Sequence, residues 1–236
     1  MQEERYARSE ALFGTGATDI LKQAHVAVFG LGGVGSFAVE ALARMGIGSL
    51  TLIDGDAYSE SNLNRQLFAT EKTLGMPKPE AAMARVGEVN SSVKVFTHSL
   101  FVTPENLSSI DFSAFDYVVD AIDAVSAKIA IIKRASETDI PVISAMGAGN
   151  KTDPTLFRVA DISKTKVCPL ARAVRNGLRR EGILHAKVVY SEEAPVNITA
   201  AEDRTPASAS FVPSVMGLIM AGEVIKDLLK NRKADE

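Results

Sequence analysis

Apolar residues follow two rhythms along this chain. Val26–Phe29, Leu50–Ile53 and Tyr117–Val119 are short, nearly continuous apolar runs rich in β-branched residues, the pattern of strands buried on both faces. Between them, Gly33–Met45, Pro79–Asn90 and Ser126–Glu137 are predicted as helices, with Val34, Ala38, Ala41 and Leu42 on one face of the first. Val93–His98 and Pro141–Ser144 complete the strands of this half, and the charged opening Met1–Glu10 predicts a short helix. Strands alternating with helices at this pitch predict an α/β fold with a doubly wound, mainly parallel sheet.

After Gly147 the rhythm changes. "TLFRVADIS" reads as an isolated strand, Pro169–Glu181 as a helix, Lys187–Tyr190 as a strand, and about Pro213 to Lys230 as a closing helix. Between them 191–210 is small and polar, with two prolines and no apolar period, which predicts a mobile loop. The expected organisation is one ATP-binding domain over 1–236, with a nucleotide-binding core at 1–150 and a substrate-side strand and helix extension at 151–236.

Composition narrows the class. With 236 residues, 46% hydrophobic and 23% charged, the chain has length for a real core and an ordinary globular profile. A net charge of −3 gives no global attraction for nucleic acid, so such a partner needs a local basic surface. One cysteine, Cys168, excludes an internal disulfide and a multi-cysteine zinc site. His25, His98 and His185 are scattered and predict no metal cluster. The opening lacks a signal-peptide core, and Phe211–Ile225 is broken by Pro213 and Glu223 and too short to span a bilayer, so a cytoplasmic protein without a membrane segment is expected.

The first strand runs into Gly30-x-Gly32-Gly33-x-Gly35, and the second ends at Asp54. A strand, a glycine-rich turn and a helix form a phosphate site: glycines permit the turn and the close approach of backbone, and the helix end offers free N–H groups. Asp54 then suits ribose hydroxyls. This Rossmann-like arrangement serves a redox dinucleotide or ATP equally well. The next residues favour ATP. "DGDAYSESNLNRQLF" supplies Asp54, Asp56, Asn62, Arg65 and Gln66 at the carboxyl edge of the sheet. A hydride-transfer site has little use for Arg65 there, whereas a planar fork of donors suits a triphosphate, with Asn62 and Gln66 as neutral donors. Lys78 could neutralise polyphosphate, although alone it would pass for a solvated lysine. Asp120 and Asp123, at the end of the strand in "YVVDAIDAVSAK", could hold Mg²⁺ or cap the next helix.

Together these residues resemble the ubiquitin-activating-enzyme-like superfamily. The resemblance lies in "RYAR" (Arg5–Arg8), "GLGGVG" (Gly30–Gly35), "DGD" (Asp54–Asp56), "SNLNRQ" (Ser61–Gln66), Lys78 and Asp123, over roughly the first two-thirds of the chain. It implies Gly33 against the phosphates, Asp54 on the ribose, Asn62, Arg65 and Lys78 on the triphosphate, and Mg²⁺ on Asp123. It also implies that Arg8 reaches a neighbouring subunit's ATP, hence a homodimer. The implied chemistry is attack of a substrate carboxylate on the α-phosphorus of ATP, with loss of pyrophosphate.

The second half narrows this further. "VADISKTKVCPLARAVRNGLRREGI" and "VVYSEEAP" resemble the tRNA threonylcarbamoyladenosine dehydratases. That implies adenylation of the threonyl carboxylate of the modified adenosine beside the anticodon, then closure to a cyclic form with loss of AMP. Six basic residues and no acid lie between Lys164 and Arg180, and Arg172, Arg175 and Arg179 share one helix face, which with Lys166 makes a landing surface for tRNA. The competing expectation is a solvated face paired with Glu192 and Glu193. Cys168 is read as a packing residue ahead of a nucleophile, since no second cysteine or base accompanies it. The runner-up function is an adenylyltransferase acting on the C-terminal glycine of a ubiquitin-like sulfur carrier; a non-enzymatic tRNA-binding scaffold comes third. Whether a monovalent cation orders a loop, and whether a sulfurtransferase or sulfur-acceptor protein docks, stay open at this point.

Overall fold

The computed structural model describes residues 4–196 and 206–233. Seven strands form one sheet: β1 (His25–Phe29), β2 (Ser49–Ile53), β3 (Lys94–His98), β4 (Tyr117–Asp120), β5 (Val142–Ala145), β6 (Phe157–Asp161) and β7 (Lys187–Ser191), in the order β3-β2-β1-β4-β5-β7-β6. All neighbours are parallel except β6 and β7. "TLFRVADIS" is therefore an edge strand and not an isolated one, because it pairs antiparallel with β7 from Phe157↔Ser191 to Asp161↔Lys187.

The helices are α1 (Ala7–Phe13), α2 (Ala17–Lys22), α3 (Gly35–Arg44), α4 (Lys78–Val89), α5 (Val125–Glu137), α6 (Pro169–Arg180) and α7 (Phe211–Lys233). The expected N-terminal helix is a 3-10 turn at Glu4–Tyr6 followed by α1 and α2, bent apart at Gly14 and Gly16, both with positive φ. Alternation along the strands divides the core between the two faces. Val26, Val28, Leu50 and Leu52 pack with α2, α3, α4 and α7, whereas Ala27, Phe29, Ile53 and Val118 pack with Phe112, Phe115 and α5. A third cluster joins α6 to β7 around Val174, Leu178 and Val188.

The order reverses between β1 and β4, so the loops after β1, β2 and β4 open a crevice at the carboxyl edge. Of the stretch expected as a mobile loop, 197–205 lies outside the described residues; its described ends are tied down, Val196 N–H to Asn150 O at 2.8 Å and Ala207 N–H to Asn150 Oδ1 at 2.7 Å. Among the described residues no helix is long and apolar enough to cross a membrane.

Candidate nucleotide site and basic surface

Two glycines are demanded by the turn after β1. Gly30 has φ +86°, and a Cβ there would stand 2.7 Å from the Ala121 carbonyl oxygen; at Gly35 it would stand 1.8 Å from the Gly30 carbonyl oxygen. Only glycine lets α3 start this close to the end of β1. Gly32 differs: its nearest neighbour, Gln66 Nε2, is 3.8 Å away, so the loop is open on that side. At Gly33 a side chain would meet Pro213 at 3.1 Å and the Arg65 Cγ at 3.4 Å. Pro213, in the first turn of α7, was not expected in this site, and nothing in its own neighbourhood of the sequence marks it.

Asp54 leaves the end of β2 with its carboxylate held by two backbone donors, Leu31 N–H at 2.7 Å and Asp56 N–H at 2.9 Å. One of these comes from the glycine loop, so acid and loop share one geometry. Each oxygen keeps a lone pair for a ribose hydroxyl. Lys78 is buried, its Nζ 2.8 Å from Asp56 and 3.8 Å from Asp54, which removes the solvated-lysine alternative. Tyr58 is buried beside them with its hydroxyl 3.4 Å from Leu31 O; burial, then the Asp54 charge, push its phenol far above the usual range.

Arg65 lays its stem against Gly33 and donates from one nitrogen to Ser61 O (2.7 Å) and Asn64 Oδ1 (2.8 Å), both neutral acceptors. Among the described residues no carboxylate pairs with its guanidinium beside the glycine loop. Asn62 closes the 3-10 turn Glu60–Asn62 by accepting Ser59 N–H at its Oδ1 (3.1 Å), which leaves its amide hydrogens for another acceptor. Gln66 is buried under Gly32, and its Oε1 has no hydrogen-bond partner among the described residues. An orphaned buried polar atom at an open glycine loop fits a site completed by a bound polar group.

The two aspartates after β4 part company. Asp120 is wholly buried, paired with Lys128 Nζ at 3.0 Å and accepting from Ser144 Oγ at 2.5 Å. Its lone pairs are spent inside, so the expectation that it could hold Mg²⁺ or cap a helix is corrected. Asp123 is exposed, and the cap position of α5 is Ala124, without a side-chain cap. Capping therefore fails as the account of Asp123, and among the described residues its carboxylate has no hydrogen-bond or ion-pair partner. Among the described residues no three His, Cys, Asp or Glu side chains gather as a metal cluster.

Arg8 lies elsewhere. It is exposed on α1, two residues past Tyr6, which is buried against Gly46 and hydrogen-bonded from Asn90 Nδ2 at 2.8 Å. Gly46 precedes β2, so Arg8 sits at the amino edge, opposite its own glycine loop.

On α6, Lys166 leads into exposed Arg172 and Arg179, while half-buried Arg175 turns inward, donating to Thr165 Oγ1 (2.5 Å), Thr165 O (3.1 Å) and Ile162 O (3.4 Å). The stripe of three equivalent arginines is corrected to two, because one guanidinium is consumed in holding the preceding turn. Glu192 and Glu193 do not neutralise it: Glu192 pairs with Arg158 at 3.3 Å, and Glu193 accepts Thr152 and Asp153 N–H groups. Cys168 is buried, with Sγ 3.4 Å from where a Gly147 Cβ would stand, which matches a packing role.

Known proteins are similar to this chain in sequence and fold. The chain is 43% identical to the tRNA threonylcarbamoyladenosine dehydratase of Bacillus subtilis (strain 168), over 96% of this chain and 95% of that protein. It is also similar to crystal structures of the E. coli tRNA N6-threonylcarbamoyladenosine dehydratase. The AMP complex gives a TM-score of 0.91 at 34% identity, covering 98% of this chain and 96% of that one. The ATP complex gives 0.89 at 34% identity, covering 99% and 97%. The ThiF family profile matches residues 6–236, and this chain belongs to that family.

Proposed function

We propose that this chain is an ATP-dependent tRNA threonylcarbamoyladenosine dehydratase. The observation that carries the reading is the carboxyl-edge crevice: an open glycine loop at Gly32, a ribose-competent carboxylate at Asp54, and the cations Arg65 and Lys78 beside them. A relative of the same fold, 34% identical over nearly the whole chain, carries ATP in its crystal structure.

In this reading ATP lies with its ribose on Asp54 and its phosphates over Gly32 and Gly33. Arg65, Lys78 and the amides of Asn62 and Gln66 bear on the polyphosphate; Asp56 keeps Lys78 in place. The threonyl carboxylate of the modified adenosine attacks the α-phosphorus, the bond to the bridging oxygen breaks, and pyrophosphate leaves. The acyl adenylate closes when a nucleophile of the same modified nucleoside attacks the acyl carbon and expels AMP. No general base is needed for activation, since a carboxylate is ionised at neutral pH; the chain's work is to position two anions and offset their repulsion. Asp123 would hold Mg²⁺, which would supply further neutralisation of the polyphosphate. Lys166, Arg172 and Arg179 receive the tRNA backbone, Arg175 shapes the turn beneath them, and Arg8 serves a second copy in a homodimer. A tRNA substrate assigns the enzyme to the cytoplasm. A monovalent cation and a sulfur-acceptor protein are the two further components to add to the assay.

The test is incubation with ATP and tRNA carrying the modification, followed by mass analysis of the nucleosides for a product lighter by one water. Arg65→Ala should lower turnover about a hundredfold or more while tRNA binding persists. The runner-up, activation of a ubiquitin-like carrier, is weakened by the single cysteine. Pyrophosphate exchange with such a carrier and none with tRNA would replace the present reading.

A further inference from the structure

We propose that Phe101 is the platform on which the purine base of the nucleotide stacks, a base-binding residue supplied by the loop after β3. The inference rests on the ATP reading above and deepens it. Hydrogen bonds continue past the ends of β2 and β3: Asp54 N–H donates to His98 O and Leu100 N–H to Asp54 O, each at 3.2 Å. This sets Phe101 directly beside Gly55, the residue after the ribose carboxylate. The approach is so close that a Cβ on Gly55 would stand 2.4 Å from the Phe101 Cγ and 2.6 Å from its backbone nitrogen. The ring is thus in direct contact with the chain that carries Asp54, within reach of a base attached to a ribose held there.

The ring is also presented outward. Leu100 and Val102 pack into the cluster around Phe29 and Phe112, while Phe101 between them remains 65% exposed. A loose loop would fold such a ring away, but this one is braced: Asn106 Nδ2 donates to Phe101 O at 2.8 Å, and Asn106 Oδ1 accepts Thr103 N–H at 2.9 Å. Ile122, next to Asp123, packs against the same cluster as Leu100 and Val102. A rigid, exposed aromatic beside a ribose-binding acid is what a base needs for stacking.

Calorimetric titration separates the possibilities, with ATP and base-free tripolyphosphate as probes of the wild type, Phe101→Ala, Phe101→Leu and Phe101→Trp. Phe101→Ala should weaken ATP roughly five- to a hundred-fold, the loss of one base stack, and leave tripolyphosphate unchanged. Phe101→Trp should retain ATP affinity. If Phe101→Ala loses both probes, Phe101→Leu, which keeps the contact with Gly55 but offers no π-face, decides: selective loss of ATP supports the platform, and undiminished ATP binding overturns it. Wild-type ATP affinity in Phe101→Ala overturns the platform alone, including where tRNA affinity falls instead. A wild-type chain that binds tripolyphosphate but no ATP overturns the ATP reading and the platform with it.

Discussion

Among individual residues, the glycine loop separates packing from binding. A methyl at Gly35 meets the Gly30 carbonyl oxygen at 1.8 Å, a backbone atom that cannot step aside, so α3 must move. Gly35→Ala should cost about 2–3 kcal/mol and take nucleotide binding with it. A methyl at Gly32 has nothing nearer than Gln66 Nε2 at 3.8 Å, and its backbone is not left-handed. Gly32→Ala should therefore melt as the wild type does, or a few degrees higher through the stiffer unfolded chain. Its ATP affinity should nevertheless fall about tenfold or more, because the methyl occupies the space that phosphate needs. Thermal unfolding and ATP titration on the two variants check both halves. A Gly32→Ala protein with wild-type affinity would move the phosphates off this loop.

Secondary-structure elements are where the sequence was most legible. Strands buried on both faces announce themselves as apolar runs, and all seven strands begin and end within two residues of the expected bounds. What escaped was non-local. The partner of β6 lies beyond α6, and no local pattern names it; α2 is only six residues after Gly16, too short for a period. The burial of Lys78 depends on Asp56, and the inward turn of Arg175 on a carbonyl ten residues earlier, so spacing alone gave their faces but not their partners. His25 shows a consequence of such packing. It opens β1, bonds Thr51 Oγ1 on β2 through Nε2 at 2.8 Å, and lies 5.5 Å from the Phe96 ring of β3 and 5.2 Å from Phe115. Burial lowers its pKa, against the opposing pull of the Ala114 carbonyl and the Asp116 charge. Since the unfolded chain takes the proton first, this contribution is complete above the ordinary imidazole value of about 6.5 and is lost as pH falls below it. Urea midpoints should fall from about pH 7.5 to 5.5 in the wild type and less steeply in His25→Gln; equal slopes would assign the titration elsewhere.

Taken as a whole, the molecule has two opposed edges, and the proposed chemistry uses both. The crevice with Asp54, Arg65 and Asp123 lies where the strands end, whereas Tyr6 anchors the N-terminal segment where they begin, against Gly46 and Asn90. β1 has five residues, about 16 Å of strand, so Arg8 stands farther from its own glycine loop than an arginine side chain extends. If Arg8 contributes to adenylation at all, it does so in another copy's site, and a C₂ dimer lets each copy lend its arginine to the other. Subunit mixing tests this directly. Arg8→Ala and Arg65→Ala should each be inactive as homodimers. In a mixed dimer, the Arg8→Ala subunit keeps Arg65 and receives Arg8 from its partner, so one of the two sites is whole. Equal co-expression should restore about a quarter of wild-type adenylation, since half the dimers are mixed and each has one intact site. Activity that stays absent while mixed dimers are recovered would mean that Arg8 does not act across the interface. An Arg8→Ala homodimer with full activity would remove the residue from the site.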